Sequence, residues 1–151
     1  MKQNEIRIFS AIGIGDYFMC YSIIKHFSQL YENVYYYTHH WYYDNVVRLY
    51  KSIPNVTILQ LQFIDDQTYI IPDNVFYIGM HHLDEMRKNN SNIHIDEGYY
   101  QQVNTPLNKK WDDFYFERDI EKEKDVFYNK LGLNDNDVFG HASISSDLYS
   151  S

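Results

Sequence analysis

The 151-residue chain has one cysteine, Cys20. A lone thiol excludes an intramolecular disulfide and any multi-cysteine zinc or iron–sulfur site, and makes a reducing compartment the default. Long hydrophobic runs are missing too. No stretch approaches the roughly 18–20 apolar residues of a membrane span, and the apolar run after Met1–Glu5 is too short for a signal sequence. The expectation is a soluble, cytoplasmic protein. Basic charge is also scarce: 13 Lys and Arg face 21 Asp and Glu, a formal net charge of −8. Neither half is basic, with 7 acidic and 5 basic residues up to position 75 and 14 and 8 after it. A duplex-binding surface that works by phosphate neutralisation is therefore not expected, and nucleic acid is set aside as a partner. No internal repeat is present.

What the chain has in quantity is aromatic side chains. Apolar residues make up 44 % and aromatics 18 %, which argues against disorder. The 16 Tyr and 13 Asn together carry the codon bias of an AT-rich genome, which enriches both without chemical purpose.

Ile6–Ile12 is a β-prone run, followed by Gly13-Ile14-Gly15-Asp16. From Tyr17 the apolar residues Cys20, Ile23, Ile24, Phe27, Leu30 and Tyr31 recur at a helical period, which predicts one helix ending at Asn33. Val34–Thr38 reads as a second strand. His39–Asp44 reads as a loop, and Asp44 or Asn45 as the cap of a short helix through Tyr50. Val56–Leu61 and Val75–Ile78 are further strands. The break between them lies at Asp65-Asp66, and Tyr69–Ile71 is assigned to a short helix. A loop and a short helix near Ile95–Val103 are expected within residues 84–110. Asp119–Leu131 is a helix with early acids and late lysines, stopped by Gly132. Strands alternating with helices predict an α/β fold: a single Rossmann-like three-layer domain with a mainly parallel sheet over residues 1–136. Residues 137–151 read as the start of a strand, Val138–His141, and a Ser-rich tail.

Right-handed crossovers place each strand-to-helix turn at the carboxyl edge of such a sheet, where ligands bind. Three turns fall there: Gly13–Asp16, His39–Asp44 and Gly79–Asp84. Gly13 and Gly15 would let backbone approach a ligand closely. The third glycine of a dinucleotide fingerprint is missing, and so is the Gly-Lys-Ser/Thr of a P-loop. Asp16 has two readings, an N-cap of the first helix or a general base. His39, His40 and Trp41, with His81 and His82, form an aromatic and imidazole wall suited to a sugar ring or else a solvated loop. Adjacent histidines on extended backbone point opposite ways, and ligand spacing for a metal is absent. Cys20 falls on the apolar stripe as a core thiol. Trp111–Phe116 reads as a strap packing its aromatics on the sheet. Ser143, Ser145 and Ser146 lie near His141 in sequence, but a triad is a spatial arrangement.

Ile12-Gly13-Ile14-Gly15-Asp16 between a strand and an apolar helix resembles the opening of GT-B glycosyltransferases, above all the ADP-heptose:lipopolysaccharide heptosyltransferase-like group, glycosyltransferase family 9. The segments His39-His40-Trp41-Tyr42-Tyr43-Asp44-Asn45-Val46 and Trp111–Asp119 with Glu123 are similar to a looser set of viral and bacterial glycosyltransferase-like proteins. The resemblance covers most of residues 6–141. It implies two Rossmann-like domains across a cleft, the N-terminal one holding a carbohydrate acceptor and the C-terminal one a nucleotide-sugar donor. It implies Asp16 as the base that deprotonates the acceptor hydroxyl, with Gly13, Gly15, His39, His40, Trp41, His81 and His82 lining the acceptor site. Neither metal nor cofactor is implied, because the nucleotide sugar is a substrate. The chain corresponds to the acceptor half alone. The expectation is thus a truncated glycosyltransferase, or one that relies on a partner chain or a second copy for the donor site, with self-association through the carboxyl edge.

Two other readings stay open. One is a non-catalytic module that binds a carbohydrate, a nucleotide or a protein on the same fold. The other is a small flavodoxin-like enzyme or regulator. A phospho-receiver is not favoured, because no acidic pair follows the first strand.

Overall fold

A computed structural model describes residues 2–10, 13–64, 68–112 and 114–137. The chain divides into two units, residues 1–117 and 118–151. The strand expected at Val138–His141, the serines near it, the Ser-rich tail and the break at Asp65-Asp66 lie outside the described residues.

The first unit is α/β and Rossmann-like. β1 (Gln3–Ser10), β2 (Tyr31–Thr38), β3 (Val56–Gln60) and the short β6 (Phe76–Ile78) form one sheet in the order β3-β2-β1-β6. Every pairing in it is parallel, with Phe9 opposite both Tyr37 and Tyr77. Two short strands outside this sheet, β4 (Gln62–Phe63) and β5 (Tyr69–Ile70), pair antiparallel. The helices are α1 (Ile14–Met19), α2 (Tyr21–Leu30), α3 (Tyr43–Tyr50), α4 (Met80–Asn89), α5 (Ile95–Gln102) and α6 (Lys109–Asp112).

The side-chain period of two divides each strand between two apolar clusters. On one face Ile8, Val34, Tyr36, Ile58 and Ile78 pack with Tyr17, Cys20, Tyr21, Ile23 and Ile24 of the α1–α2 segment, with Val46, Leu49 and Tyr50 of α3, and with Tyr99 and Tyr100 of α5. On the other, Phe9, Tyr37 and Leu61 gather Tyr35, Leu59, Val75 and Tyr77. α4 reaches this second cluster through His82, whose ring lies 6.0 Å from that of Tyr77.

Tyrosine hydroxyls supply many of the polar links in this core. Tyr50 donates to the Tyr17 carbonyl at 2.7 Å and Tyr100 to the Met19 carbonyl at 3.2 Å. Carbonyls at the end of the short α1 and just before it are thereby satisfied away from water. The Tyr36 hydroxyl meets the buried Ser10 hydroxyl.

Several local expectations are corrected. The predicted first helix is two helices with Cys20 as the turn between them, and β2 begins at Tyr31. Asn33 therefore lies inside a strand, where the parallel ladder to β1 satisfies its backbone more fully than a fraying helix end would. α3 starts at Tyr43, so Asp44 sits in its first turn and is not the cap. Tyr69–Ile70 is a strand: two residues show no period of their own, and pairing with Gln62–Phe63 decides the conformation. α4 begins directly after Gly79, so His81 and His82 belong to its first turn and Leu83 and Asp84 follow them in the same helix. The expected strap over Trp111–Phe116 is corrected: Trp111 belongs to α6, Trp111 and Tyr115 are exposed, and Phe114 packs on helices, 5.1 Å from Tyr21 and 6.0 Å from Phe18.

The second unit, as described, holds α7 (Ile120–Lys124) and a π-helical continuation over Asp125–Lys130. Asp119 caps it by accepting from the Lys122 N–H at 3.1 Å. Gly132 ends it with a φ of +65°, a conformation glycine adopts without penalty.

Candidate functional site at the carboxyl edge of the sheet

The strand order turns back between β1 and β6. The chain steps from β1 outward to β2 and β3, then returns to β6 on the other side of β1. In open parallel sheets the crevice outside such a reversal is where ligands bind. The turns beside this reversal are Gly13–Asp16 after β1 and the Gly79–His82 start of α4 after β6. The His39–Trp41 segment follows β2, the other neighbour of β1.

Gly13, on extended backbone, is the N-cap of α1, and Asp16 is the third helical residue. This corrects the N-cap reading of Asp16. Its side chain reaches back and accepts the Gly13 N–H at Oδ2, 2.8 Å away, while its own N–H bonds the Gly13 carbonyl at 3.0 Å. That is the carboxylate half of a capping box, with glycine where serine or threonine commonly stands. The second carboxylate oxygen, Oδ1, accepts the hydroxyl of Tyr99 at 3.2 Å. Burial in the main core, and then the nearby Asp16 charge, push the Tyr99 phenol up, so it stays a donor at any physiological pH. An ionised carboxylate has about four lone-pair positions, so two internal bonds orient Asp16 without exhausting it. Gly15 is exposed, and nothing lies within 4 Å of where a side chain would begin.

The imidazole and indole residues are brought together in a way the sequence did not show. His39 is only 2 % exposed, which corrects its assignment to a solvated loop. Burial, helped by His40, lowers its affinity for a proton. The chain then turns through one 3-10 turn, His40–Tyr42. Both imidazoles thereby meet Trp41, with His39 parallel to it at 5.7 Å and His40 tilted at 4.7 Å. His39 also contacts Phe9 edge-on at 5.9 Å, Phe9 stacks on Tyr77 at 5.5 Å, Tyr77 meets His82 at 6.0 Å, and His82 meets His81 at 5.8 Å. Phe9 on β1 and Tyr77 on β6 thus join the two histidine pairs into one row of rings. Sequence reasoning missed both, because each alternates correctly for a strand and carries no further signal. Trp41 is 57 % exposed and gives the row an open aromatic end.

α5 fastens two of these turns. Tyr99 holds Asp16, and Gln102 uses both ends of its amide on Gly79, accepting the Gly79 N–H at 3.0 Å and donating to the Gly79 carbonyl at 3.2 Å. Residues three apart share a helix face, so one side of α5 serves both turns. α5 is tied in turn by Asp96 to Lys110 of α6, 2.9 Å apart, and that hydrogen-bonded ammonium holds the Asp96 carboxyl below its ordinary value.

Cys20 is fully buried and its thiol is pushed up to about 12 by desolvation. That environment suits packing and not nucleophilic attack. Among the described residues, no group of three or more His, Cys, Asp or Glu side chains could hold a metal ion. No helix among them is long and apolar enough to cross a membrane. Comparison with protein-family models, with curated proteins and with solved structures finds no match, so this chain is characterised by its own geometry: a Rossmann-like parallel sheet whose carboxyl edge carries a fastened aspartate and a row of aromatic and imidazole rings.

Proposed function

We propose that the carboxyl edge of this sheet binds a carbohydrate, and that the chain is the acceptor-binding part of a GT-B-type glycosyltransferase. One observation carries the reading. A carboxylate fixed at both oxygens stands in the first turn of α1, and an open indole continues into a row of rings at the ends of β2, β1 and β6. A pyranose has an apolar face that stacks on an aromatic ring and a rim of hydroxyls that hydrogen-bond to carboxylate and imidazole. Trp41, His40, His81 and His82 supply the wall, and Gly13 and Gly15 leave room at the turn.

In the transfer reaction the acceptor oxygen forms a bond to the anomeric carbon of the donor. The bond from that carbon to the nucleotide phosphate breaks, and the hydroxyl proton passes to Asp16. A general base must lie within hydrogen-bond reach of that proton, and the bonds from Gly13 and Tyr99 hold the carboxylate in one orientation for it. The donor would be presented by a second domain or a partner chain, because two substrates must be positioned together for catalysis.

A second reading is favoured by the same two bonds. Asp16 already has a structural task in closing the α1 turn, which suits a non-catalytic carbohydrate-binding module. Incubation with UDP-glucose or ADP-glucose and a methyl glycoside separates the two. Transfer or donor hydrolysis that Asp16→Asn abolishes supports the enzyme. Glycoside binding without turnover that Asp16→Asn weakens is the result for an acceptor part lacking its donor partner, and glycoside binding without turnover that Asp16→Asn leaves unchanged supports the module. Absence of glycoside binding contradicts both.

A further inference from the structure

A glycine-containing turn that opens a helix ordinarily offers free N–H groups to an anion. Here the first of those groups is already taken. The Gly13 N–H already donates to Asp16 Oδ2 at 2.8 Å. The carboxylate cannot swing off this amide without also giving up the hydroxyl of Tyr99 at Oδ1. Tyr99 is itself fully buried, on a helix whose next residue bonds the Met19 carbonyl. A phosphate approaching the turn would meet a fixed negative charge where a phosphate site presents a donor.

The neighbouring turns do not offset that charge. Residues 13–16, 39–44 and 79–84 contain Asp16, Asp44 and Asp84 and no Lys or Arg. Their basic groups are imidazoles, and burial keeps His39 neutral more readily than an exposed histidine. The net charge of −8 opposes an approaching anion at longer range. What remains attractive at the edge is ring area and hydrogen-bonding capacity without positive charge.

We infer that the carboxyl edge takes an uncharged saccharide and rejects phosphorylated or carboxylate-bearing sugars, with Asp16, held by Gly13 and Tyr99, as the residue that discriminates. This inference rests on the carbohydrate reading of the same site.

The test is a nuclear magnetic resonance titration of the amide-labelled chain at pH 8, above the ordinary imidazole range. The methyl glycosides of glucose, galactose and mannose are compared with the 6-phosphates of the same sugars. The expected result is that at least one methyl glycoside shifts the amides of Gly13, Gly15, His40 and His82, and that its 6-phosphate counterpart binds about tenfold more weakly, as for one like-charge contact in a partly screened site. Raising the salt should narrow that gap in the unaltered protein, because the repulsion is screened. Asp16→Asn should narrow it as well. A 6-phosphate that binds these amides as tightly as the glycoside, or more tightly, overturns the inference and leaves the carbohydrate reading standing. A gap indifferent to salt also overturns it, since charge would then not be the cause. No shift at these amides with any sugar overturns both.

Discussion

Tyr99 and Asp16 stand 83 positions apart in the chain, and the hydroxyl of one donates to the carboxylate of the other across 3.2 Å. Through this bond a helix remote in sequence sets the orientation of a residue in the first turn of α1. The same helix fastens the end of β6 through Gln102. The turns that follow β1 and β6 are therefore both braced by α5.

The open face of Trp41 separates binding from stability. Trp41→Ala should weaken glycoside binding by roughly 0.5–1.5 kcal/mol, the contribution of one aromatic contact. Unfolding stability should stay within about 0.5 kcal/mol of the parent, because the side chain is mostly exposed. Calorimetric titration and urea unfolding measure the two quantities. A large loss of stability with unchanged affinity would make Trp41 a packing residue.

Tyr50 tests the tyrosine-based polar core. Its hydroxyl is the donor to the Tyr17 carbonyl at 2.7 Å. Tyr50→Phe keeps the ring contacts and leaves that buried carbonyl short of a partner. Urea unfolding should show a loss of about 1–2 kcal/mol. A neutral outcome would mean that water or another donor replaces the hydroxyl.

Gly98 of α5 lies directly against Leu83 of α4. A side-chain carbon there would lie 2.2 Å from Leu83 Cδ1. Gly98→Ala should therefore destabilise by about 1–3 kcal/mol through overpacking. The contact atom is the tip of a flexible side chain, so Leu83→Val in the same chain should recover part of the loss. The double-mutant cycle should be clearly non-additive. Additive effects would show that the clash lies elsewhere.

His39 gives stability a pH dependence of known sign. Its folded-state proton affinity lies below the ordinary value of 6.5, because burial disfavours the imidazolium. As the pH falls through about 6.5 the unfolded chain takes up a proton that the folded chain does not. Its contribution to stability is therefore present above that value and is lost as the pH drops through the lower folded-state value. Urea midpoints recorded between pH 8 and 5 should decline, and the decline should be smaller in His39→Phe. An identical slope in the variant would assign it to other groups.

The parts of this fold that a sequence reading recovered are those with local repetition. Ile6–Ser10, Val34–Thr38 and Val56–Gln60 were legible as strands because apolar and β-branched residues accumulate over several positions. The helix near Ile95–Val103 was placed only approximately, in a polar stretch of little periodicity, and the Gly132 stop was legible from glycine's conformational freedom. α4 was not, since Gly79 caps it with no side-chain hydrogen bond and Met80-His81-His82 carries no first-turn acid. Within the candidate site, Gly13, Gly15 and Asp16 are contiguous and could be read. Tyr99, Gln102, Phe9 and Tyr77 could not, because their roles exist only once β1, β6 and α5 are brought together.

Fluorescence of Trp41 tests the central claim most directly. The protein has two tryptophans, so Trp111→Phe leaves Trp41 as the sole reporter at the open end of the ring row. Titration of that variant with the methyl glycosides of glucose, galactose and mannose should give a saturable change in emission with at least one of them, weakened by His40→Ala. Emission that stays flat with all three, or a change that survives only when Trp111 is the tryptophan retained, would contradict a carbohydrate site at the carboxyl edge.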